Sequence, residues 1–303
     1  MQIILLHAGK NMKTSSKSTV VCMVGSLLLA VFLSVTAIML SVKLGLASDN
    51  VILDAMDEAD YYQMVYDDFT GKCEALAIPN GLDLTVFDGV FSVEQIRSDC
   101  RRYLKAELNS TVFKINTGVY KQKLSANIYD YVKKNDLTAD GDVGEVIRGF
   151  TDDIMDCYIE MIRLPHASSM GAVFRMISDY FPLVFTAMTV LSVCTIRILV
   201  KQNPRRKGRL SRYLAYSTMS GAVSVLFVPV FSLITGFYRK LQIYPEYMYK
   251  FIVNYFEHGI NTMLITGVLL FAAAGVMICF SSCMEYQMKQ RKRKKQNLRQ
   301  IPE

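Results

Sequence analysis

The chain has 303 residues, of which 51% are hydrophobic, and a formal net charge of +7. The apolar residues are concentrated in four long runs, which is typical of a membrane protein and excludes a single soluble globule. The net charge does not indicate nucleic-acid binding, because basic residues gather in three short segments while the longest segment between runs is acidic.

The first apolar run extends from Thr19 to Val42, 24 residues without a charged side chain. A helix of that length crosses a hydrocarbon core of roughly 30 Å with some tilt. A cleaved signal peptide is the alternative, since residues 45–47 (Gly-Leu-Ala) have the small-x-small pattern of a cleavage site. The run is much longer than the apolar region of a signal peptide, so we predict a retained anchor. Either Met1 or Met12 fits as the start of the chain.

The long segment after this run, residues 43–180, is predicted to be a helical domain outside the cytoplasm. Between Lys43 and Asp179 it has 14 basic and 23 acidic residues, a net charge of −9. Its length is sufficient for a domain with its own hydrophobic core. Apolar residues recur at helical spacing in four places, which predicts four amphipathic helices packed as a bundle.

The first two helices of this domain have clear boundaries in the sequence. One runs from about Asn50 to Ala77, with Ile52 and Met56 on its apolar face, and residues 78–81 (Ile-Pro-Asn-Gly) break it. Residues 92–95 (Ser-Val-Glu-Gln) form the pattern of a capping box and begin the second helix.

The next helices are predicted after a short extended stretch at residues 111–115. The third helix runs from about Gly118 to Lys134, and the fourth starts near Asp142 and ends before Pro165. A further helical segment leads from about Ser168 toward the second apolar run. The fourth helix carries the strongest apolar stripe, which consists of Val143, Val146, Ile147, Phe150, Ile154, Cys157, Tyr158 and Met161.

Three more apolar runs predict spans two to four, at residues 181–200, 214–238 and 261–282. Pro182 lies near the start of span two and is a predicted kink. In span three, two pairs of small residues have the four-residue spacing of close helix contacts. These pairs are Ser217 with Gly221, and Ser220 with Ser224.

Basic residues predict the orientation of the spans, because short segments rich in Lys and Arg stay in the cytoplasm. They are concentrated at both termini and in the loop after span two, so both termini are predicted to be cytoplasmic. The fold class is therefore an all-α membrane protein with four transmembrane helices and an extracytoplasmic helical bundle domain inserted between spans one and two. The segments in order, alternating between cytoplasm, span and exterior, are 1–18, 19–42, 43–180, 181–200, 201–213, 214–238, 239–260, 261–282 and 283–303.

Two segments outside the bundle suggest contacts. The exterior loop 239–260 is dense in Tyr and Phe, which suits a belt at the membrane surface or a contact surface for the exterior domain or a partner. The tail begins with a basic cluster that attracts anionic lipid headgroups or serves only to fix the topology. This cluster consists of Lys289, Arg291, Lys292, Arg293, Lys294 and Lys295.

Candidate metal and catalytic sites are weak. Residues 136–142 resemble the start of a calcium-binding EF-hand loop, but the position of the closing acid is Ile147, so a turn with a helix cap is the better interpretation. Residues 109–111 form a glycosylation sequon, which matters only in a eukaryotic secretory pathway. The three histidines are scattered, and His166 alone lies in the exterior domain. We therefore predict no catalytic residue, no metal site and no cofactor.

The seven cysteines do not form a metal-binding pattern, and Cys73, Cys100 and Cys157 fall in the exterior domain. An odd number argues against a fully paired disulfide framework. Cys100 and Cys157 lie on apolar helix faces, so both are predicted to be reduced and buried.

Four short stretches resemble segments shared by uncharacterised four-span membrane proteins of Gram-positive bacteria. They are residues 77–82 (AIPNGL), 86–92 (VFDGVFS), 236–239 (GFYR) and 244–247 (YPEY). The order of spans and the basic second connection also match. The resemblance implies a bacterial cytoplasmic membrane with the acidic bundle toward the cell wall, and it transfers no activity and no site residue.

These features favour a multi-pass protein of the cell membrane that is not an enzyme and acts through its extracytoplasmic helical domain. Its expected role is to interact with, or act as a scaffold for, another envelope protein, and no nucleic-acid partner is expected. The alternative is a component of a transport system or a receptor-like sensor that couples the exterior domain to the membrane helices.

Overall fold

The computed structural model describes the backbone of residues 2–109, 111–135, 143–164, 167–203 and 207–298. Side chains are described at these positions except 2–18, 143, 207, 284–285, 288–289 and 291–298. Within these ranges the protein is helical with no strand, which confirms the predicted all-α class. Helices α1 to α9 span Gln2–Gly45, Asp49–Glu58, Tyr61–Ala77, Val93–Leu108, Gly118–Lys134, Val143–Ile162, Ala167–Gln202, Lys207–Thr235 and Glu246–Leu298.

The chain divides into two compact units. The first, which we call the membrane unit because it contains the four apolar runs, comprises Met1–Leu46, Asp179–Tyr238 and Glu257–Glu303. The second, the bundle unit, comprises Ala47–Ser178 and Arg239–Phe256. The aromatic segment after α8 therefore belongs to the same compact unit as helices α2 to α6.

Four helices are long and apolar enough to cross a membrane, which confirms the four predicted spans; they are α1, α7, α8 and α9. Much of their apolar surface is uncovered by protein, as Leu183, Phe227 and Val276 show, each about two-thirds exposed (68%, 69% and 70%). Exposed apolar surface on this scale fits a protein that spans a membrane. Helix α7 continues through Pro182 without ending.

Small side chains bring α1 and α8 together in the membrane unit. The Ser217 hydroxyl donates a hydrogen bond to the backbone oxygen of Ser26 at 2.7 Å. A Cβ atom at Gly221 would lie only 3.3 Å from the backbone oxygen of Ala30. The predicted contact through Ser217 and Gly221 is therefore confirmed, whereas Ser220 and Ser224 are exposed and the contact predicted for them is wrong.

The first predicted bundle helix is two helices, α2 and α3, separated by Asp60, whose φ of 51° is left-handed. Buried residues continue across the break, since Ala59 and Tyr62 are buried on either side of it. The apolar spacing therefore gave no signal for this break, which is a local change of backbone conformation at one exposed residue.

Helices α4 to α6 follow the predicted boundaries closely. The Ser92 hydroxyl accepts a hydrogen bond from the backbone N–H of Gln95 at 3.3 Å, as the capping pattern predicts. Phe150 and Ile154, in the centre of the α6 stripe, are buried. Val146 is 56% exposed and was wrongly placed in the stripe, because it lies about 100° around the helix from Ile147.

The start of α7 is fixed against the end of α4 inside the bundle unit. The Arg175 guanidinium donates to the backbone oxygen of Leu108 at 3.0 Å. Gly171 lies so close to this turn that an added Cβ atom would meet the backbone oxygen of Glu107 at 2.7 Å. The segment predicted from Ser168 onward is therefore both a helix and part of the bundle.

Candidate functional site

The first turns of α9 pack into the core of the bundle unit around Tyr61. Tyr61 is 1% exposed, and its ring meets those of Tyr247 and Phe251 edge to face at centroid distances of 5.3 and 5.9 Å. The Tyr61 hydroxyl lies 4.0 Å from the sulfur of Met248, which is also buried. Of the two interpretations of the aromatic loop, contact with the helical domain is thus the one observed. The segment is also largely helical, since α9 begins at Glu246.

A cleft of about 1040 Å³ opens beside this aromatic cluster, and all of its lining residues belong to the bundle unit. Its size and its mainly apolar lining are those of a binding pocket for an organic ligand or a peptide segment. Three methionines contribute to the lining, a side chain that adapts readily to different apolar partners. The aromatic side chains of the lining are Tyr61, Tyr103, Tyr244, Tyr247, Phe251, Tyr255 and Phe256.

One end of the cleft is polar and carries two carboxylates against one ammonium. Asp68 and Lys72 form an ion pair at 3.7 Å between neighbouring turns of α3, and Glu160 of α6 faces the same space. The Lys72 ammonium also lies 3.1 Å from the sulfur of Met161. Burial, followed by the nearby Asp68 carboxylate, raises the pKa of Tyr247 to about 12, so its hydroxyl stays protonated as a hydrogen-bond donor.

A second polar group lines the cleft around Tyr103. Burial raises the pKa of Tyr103, the negative charge of the neighbouring Glu107 carboxylate and a hydrogen bond with it raise the pKa further, and the nearby Arg163 guanidinium lowers it. Arg163 adds a positive charge to this part of the cleft, so the lining as a whole holds two acids and two bases. The end with Asp68 and Glu160 is the part where two carboxylates lie near one ammonium, that of Lys72.

Two further polar clusters in the bundle unit have structural roles. The Asp57 carboxylate pairs with both Arg97, at 2.6 Å, and Arg101, and both guanidinium groups lie over the ring of Tyr62. These contacts tie the end of α2 to α4. Because the arginines are about half-exposed, each pair adds little to stability, roughly 1 kcal/mol or less.

The other cluster joins three helices through a single carboxylate. Asp99 of α4 accepts hydrogen bonds from the hydroxyls of Tyr120 of α5 and Tyr158 of α6, at 3.0 and 2.8 Å. Tyr158 is fully buried, so its hydroxyl needs this partner. All three side chains are occupied with one another and none of them lines the cleft.

The thiols of the bundle unit are free, as predicted, and are not poised as nucleophiles. Cys100 is buried as expected, and burial raises its pKa to about 12. Cys157 was also predicted to be buried but is only half-buried. Burial likewise raises the pKa of Cys73 to about 12. Protonated thiols of this kind are poor nucleophiles at neutral pH.

Most of the weak candidates from the sequence lie outside the described residues. These are the EF-hand-like residues 136–142, Ser110 of the sequon, His166, and the side chains of the basic tail cluster. Of that cluster only the backbone is described, and it is helical. Ile147, the residue at the position of the missing calcium ligand, is buried in the bundle core. No group of three or more metal-ligating side chains occurs among the residues that the structure describes.

The residues of the cleft were not singled out from the sequence, apart from the aromatic loop and Met161 of the α6 stripe. Tyr61 of α3 and Met248 of the loop are 187 residues apart in the chain, and helical spacing within one segment carries no information about such a contact. A search of protein-family models, of curated proteins and of solved structures gave no match to this chain.

Proposed function

We propose that this chain is a multi-pass cell-membrane protein whose bundle unit lies outside the cytoplasm and binds another envelope protein through the aromatic cleft. The observation that carries the proposal is the cleft itself, which combines a volume of about 1040 Å³ with seven aromatic side chains. Aromatic side chains supply large contact area at a low cost in conformational entropy and dominate the energetics of protein interfaces.

The proposed orientation rests on charge. The bundle segment is acidic, whereas both termini and the loop after span two are basic. The positive-inside tendency then favours a topology with both termini in the cytoplasm and the bundle between spans one and two on the exterior. The resemblance to four-span proteins of Gram-positive bacteria is consistent with a bacterial cell membrane.

Binding is favoured over catalysis by the chemistry of the cleft. The described residues that line it include two acids and two bases but no His, Cys, Ser or Thr. Hydroxyl, thiol and imidazole side chains are the usual nucleophiles and bases of transfer reactions. Turnover of phosphate, ester, peptide or glycoside substrates by the purified protein, lost on Glu160→Gln, would make the protein an enzyme and contradict this proposal.

The binding proposal is tested by site-specific photo-cross-linking in intact cells. A photoreactive amino acid at Tyr244, which lines the cleft and is 93% exposed, should give one dominant protein adduct. The same probe at Tyr129, which is 48% exposed on α5 and does not line the cleft, is the matched control. The adduct should weaken when Met170→Arg places a charged side chain in the mainly apolar lining. Adducts of equal yield from both positions would show that the cleft is not the binding surface.

A receptor-like sensor is the second candidate, and the continuity of α9 favours it. Tyr247 and Phe251 line the cleft, and the same helix continues to Leu298 through span four. Helix α7 likewise carries Met170 of the cleft and span two. If the partner is an ATPase, a role in a transport system is favoured. Partner binding should then change hydrogen exchange near the cytoplasmic end of α9, whereas a simple scaffold would leave it unchanged.

The basic tail is proposed to contact anionic lipid headgroups on the cytoplasmic side. Each Lys or Arg near such a surface contributes about 1 kcal/mol. A peptide of residues 286–298 should bind vesicles with 30% anionic lipid and lose binding as salt is raised. Equal binding to neutral vesicles would leave the cluster as a topology signal only.

A further inference from the structure

The bundle unit as a whole favours a positively charged partner. Residues 47–178 and 239–256 contain 16 basic and 23 acidic residues, a net charge of −7. Long-range attraction of this kind raises the association rate of oppositely charged partners and disfavours acidic ones. It does not by itself say where on the unit a positive group would bind.

The cleft provides a local reason for the same preference. The Asp68 carboxylate faces Lys72 at 3.7 Å, beyond hydrogen-bond distance, and the Lys72 ammonium lies nearer the Met161 sulfur. Glu160 is exposed at the same end of the cleft, and the ion pairs found among the described residues do not include it. A ligand ammonium or guanidinium can therefore contact both Asp68 and Glu160. Of these two carboxylates, only Asp68 is partly neutralised, by Lys72.

The aromatic lining adds a second attraction for the same group. The negative face of an aromatic ring attracts a cation within about 6 Å of the ring centre. Tyr247 lies between the acidic end and the ring cluster, where its ring is 5.3 Å from that of Tyr61. Tyr244 and Tyr255 line the cleft on the same segment of the chain. Apart from the polar group around Tyr103 and Arg163, the remainder of the cleft is mainly apolar and suits the apolar neighbours of a basic residue.

From this combination we propose that the cleft receives a lysine or arginine side chain, flanked by apolar residues, from the partner protein. This inference rests on the proposed function, since it names the feature of the partner that the cleft would recognise. The volume of about 1040 Å³ exceeds what a single headgroup or free amino acid fills, which favours a short peptide segment over a small organic cation.

The test is selection of random displayed decapeptides on the purified full-length protein in mild detergent. Native protein is compared with Asp68→Asn/Glu160→Gln, which removes both carboxylates of the cleft. The matched control is Asp67→Asn/Asp156→Asn, which removes the same charge from exposed residues of α3 and α6 that do not line the cleft. Thermal unfolding of all three proteins establishes that each variant is folded.

Native protein and the matched control should both enrich peptides with Lys or Arg beside apolar residues, and the cleft variant should not. A selected peptide should bind the cleft variant about tenfold more weakly, and replacing its basic residue by norleucine should cost the same factor. Enriched peptides that lack basic residues, or equal loss in both variants, would overturn the inference while leaving the cleft as a binding site. No enrichment over empty micelles would overturn the inference, whereas the cross-link at Tyr244 tests the proposed function separately.

Discussion

The packing of α9 on Tyr61 allows a direct test of whether the aromatic loop is part of the bundle unit. Phe251 is 2% exposed, and its ring lies 5.9 Å from that of Tyr61 in an edge-to-face arrangement. Phe251→Ala removes this ring, whereas Lys250→Ala changes the exposed neighbouring position. If the loop were only an interfacial belt, the two substitutions would have similar effects on the bundle.

The structure sets the size of the expected effect. Losing the burial of a Phe side chain costs roughly 1.5–3 kcal/mol of folding free energy, and losing its contact with a second aromatic ring costs roughly 0.5–1.5 kcal/mol more. A remaining cavity brings the total for Phe to Ala into the range of about 3–5 kcal/mol. Lys250→Ala loses only an exposed pair with Glu246 and should cost about 0.5 kcal/mol or less. Phe251→Leu, which keeps most of the volume, should cost about 1.5 kcal/mol or less.

Hydrogen exchange of α3, measured on the full-length protein in detergent, reports this destabilisation locally. A loss of 3 kcal/mol corresponds to roughly 100-fold faster exchange of the protected amides between Tyr61 and Ala77, provided that exchange follows the opening equilibrium. Phe251→Leu keeps the test informative if the alanine variant does not fold. Exchange in Phe251→Ala that matches Lys250→Ala would refute the packing of α9 against α3.

Three further predictions concern topology, helix contact and pH. With the native thiols blocked, a cysteine placed at Asp140 should react with an impermeant maleimide in intact cells, and one at Lys207 should not; labelling at Lys207 would overturn the topology. Gly221→Leu should lower the melting temperature in detergent by separating α1 from α8, whereas Ser220→Leu, on the exposed face, should not; equal effects would place the contact elsewhere. Burial raises the pKa of Cys100 to about 12, above its unfolded value of roughly 8.5. Above about pH 8.5 unfolding therefore releases the Cys100 proton, and the free energy of unfolding should fall by up to about 1.4 kcal/mol per pH unit. Cys100→Ala should reduce this slope, and an unchanged slope would show that another group causes it.

The class of the protein followed from local patterns in the sequence. Span length, apolar stripes and the Ser92 cap each depend on residues close together in the chain, and the structure has them where they were expected. Among the described residues of the stripe, Val146 is exposed because an apolar residue next to the true face was counted as part of it, and Cys157 is half-buried. Chemistry alone does not distinguish a buried valine from an exposed one.

The spans could be predicted because each depends on residues close together in the chain. The cleft could not be predicted, because its residues come from distant parts of the chain. Asp68 and Glu160 look like ordinary charged positions on the solvent side of amphipathic helices. Their role emerges only when Tyr247, far along the chain, is brought beside them. The aromatic density of the loop was a usable signal, but it fitted a membrane belt equally well.

The left-handed Asp60 lies at an exposed position, so burial of its own side chain does not compensate for the backbone conformation. A left-handed conformation costs a residue with a Cβ atom roughly 1 kcal/mol, and glycine adopts it without that cost. Asp60→Gly should therefore keep the junction between α2 and α3 and relieve part of its strain. The junction is maintained by the buried residues of the two helices, and the residue that forms it opposes it.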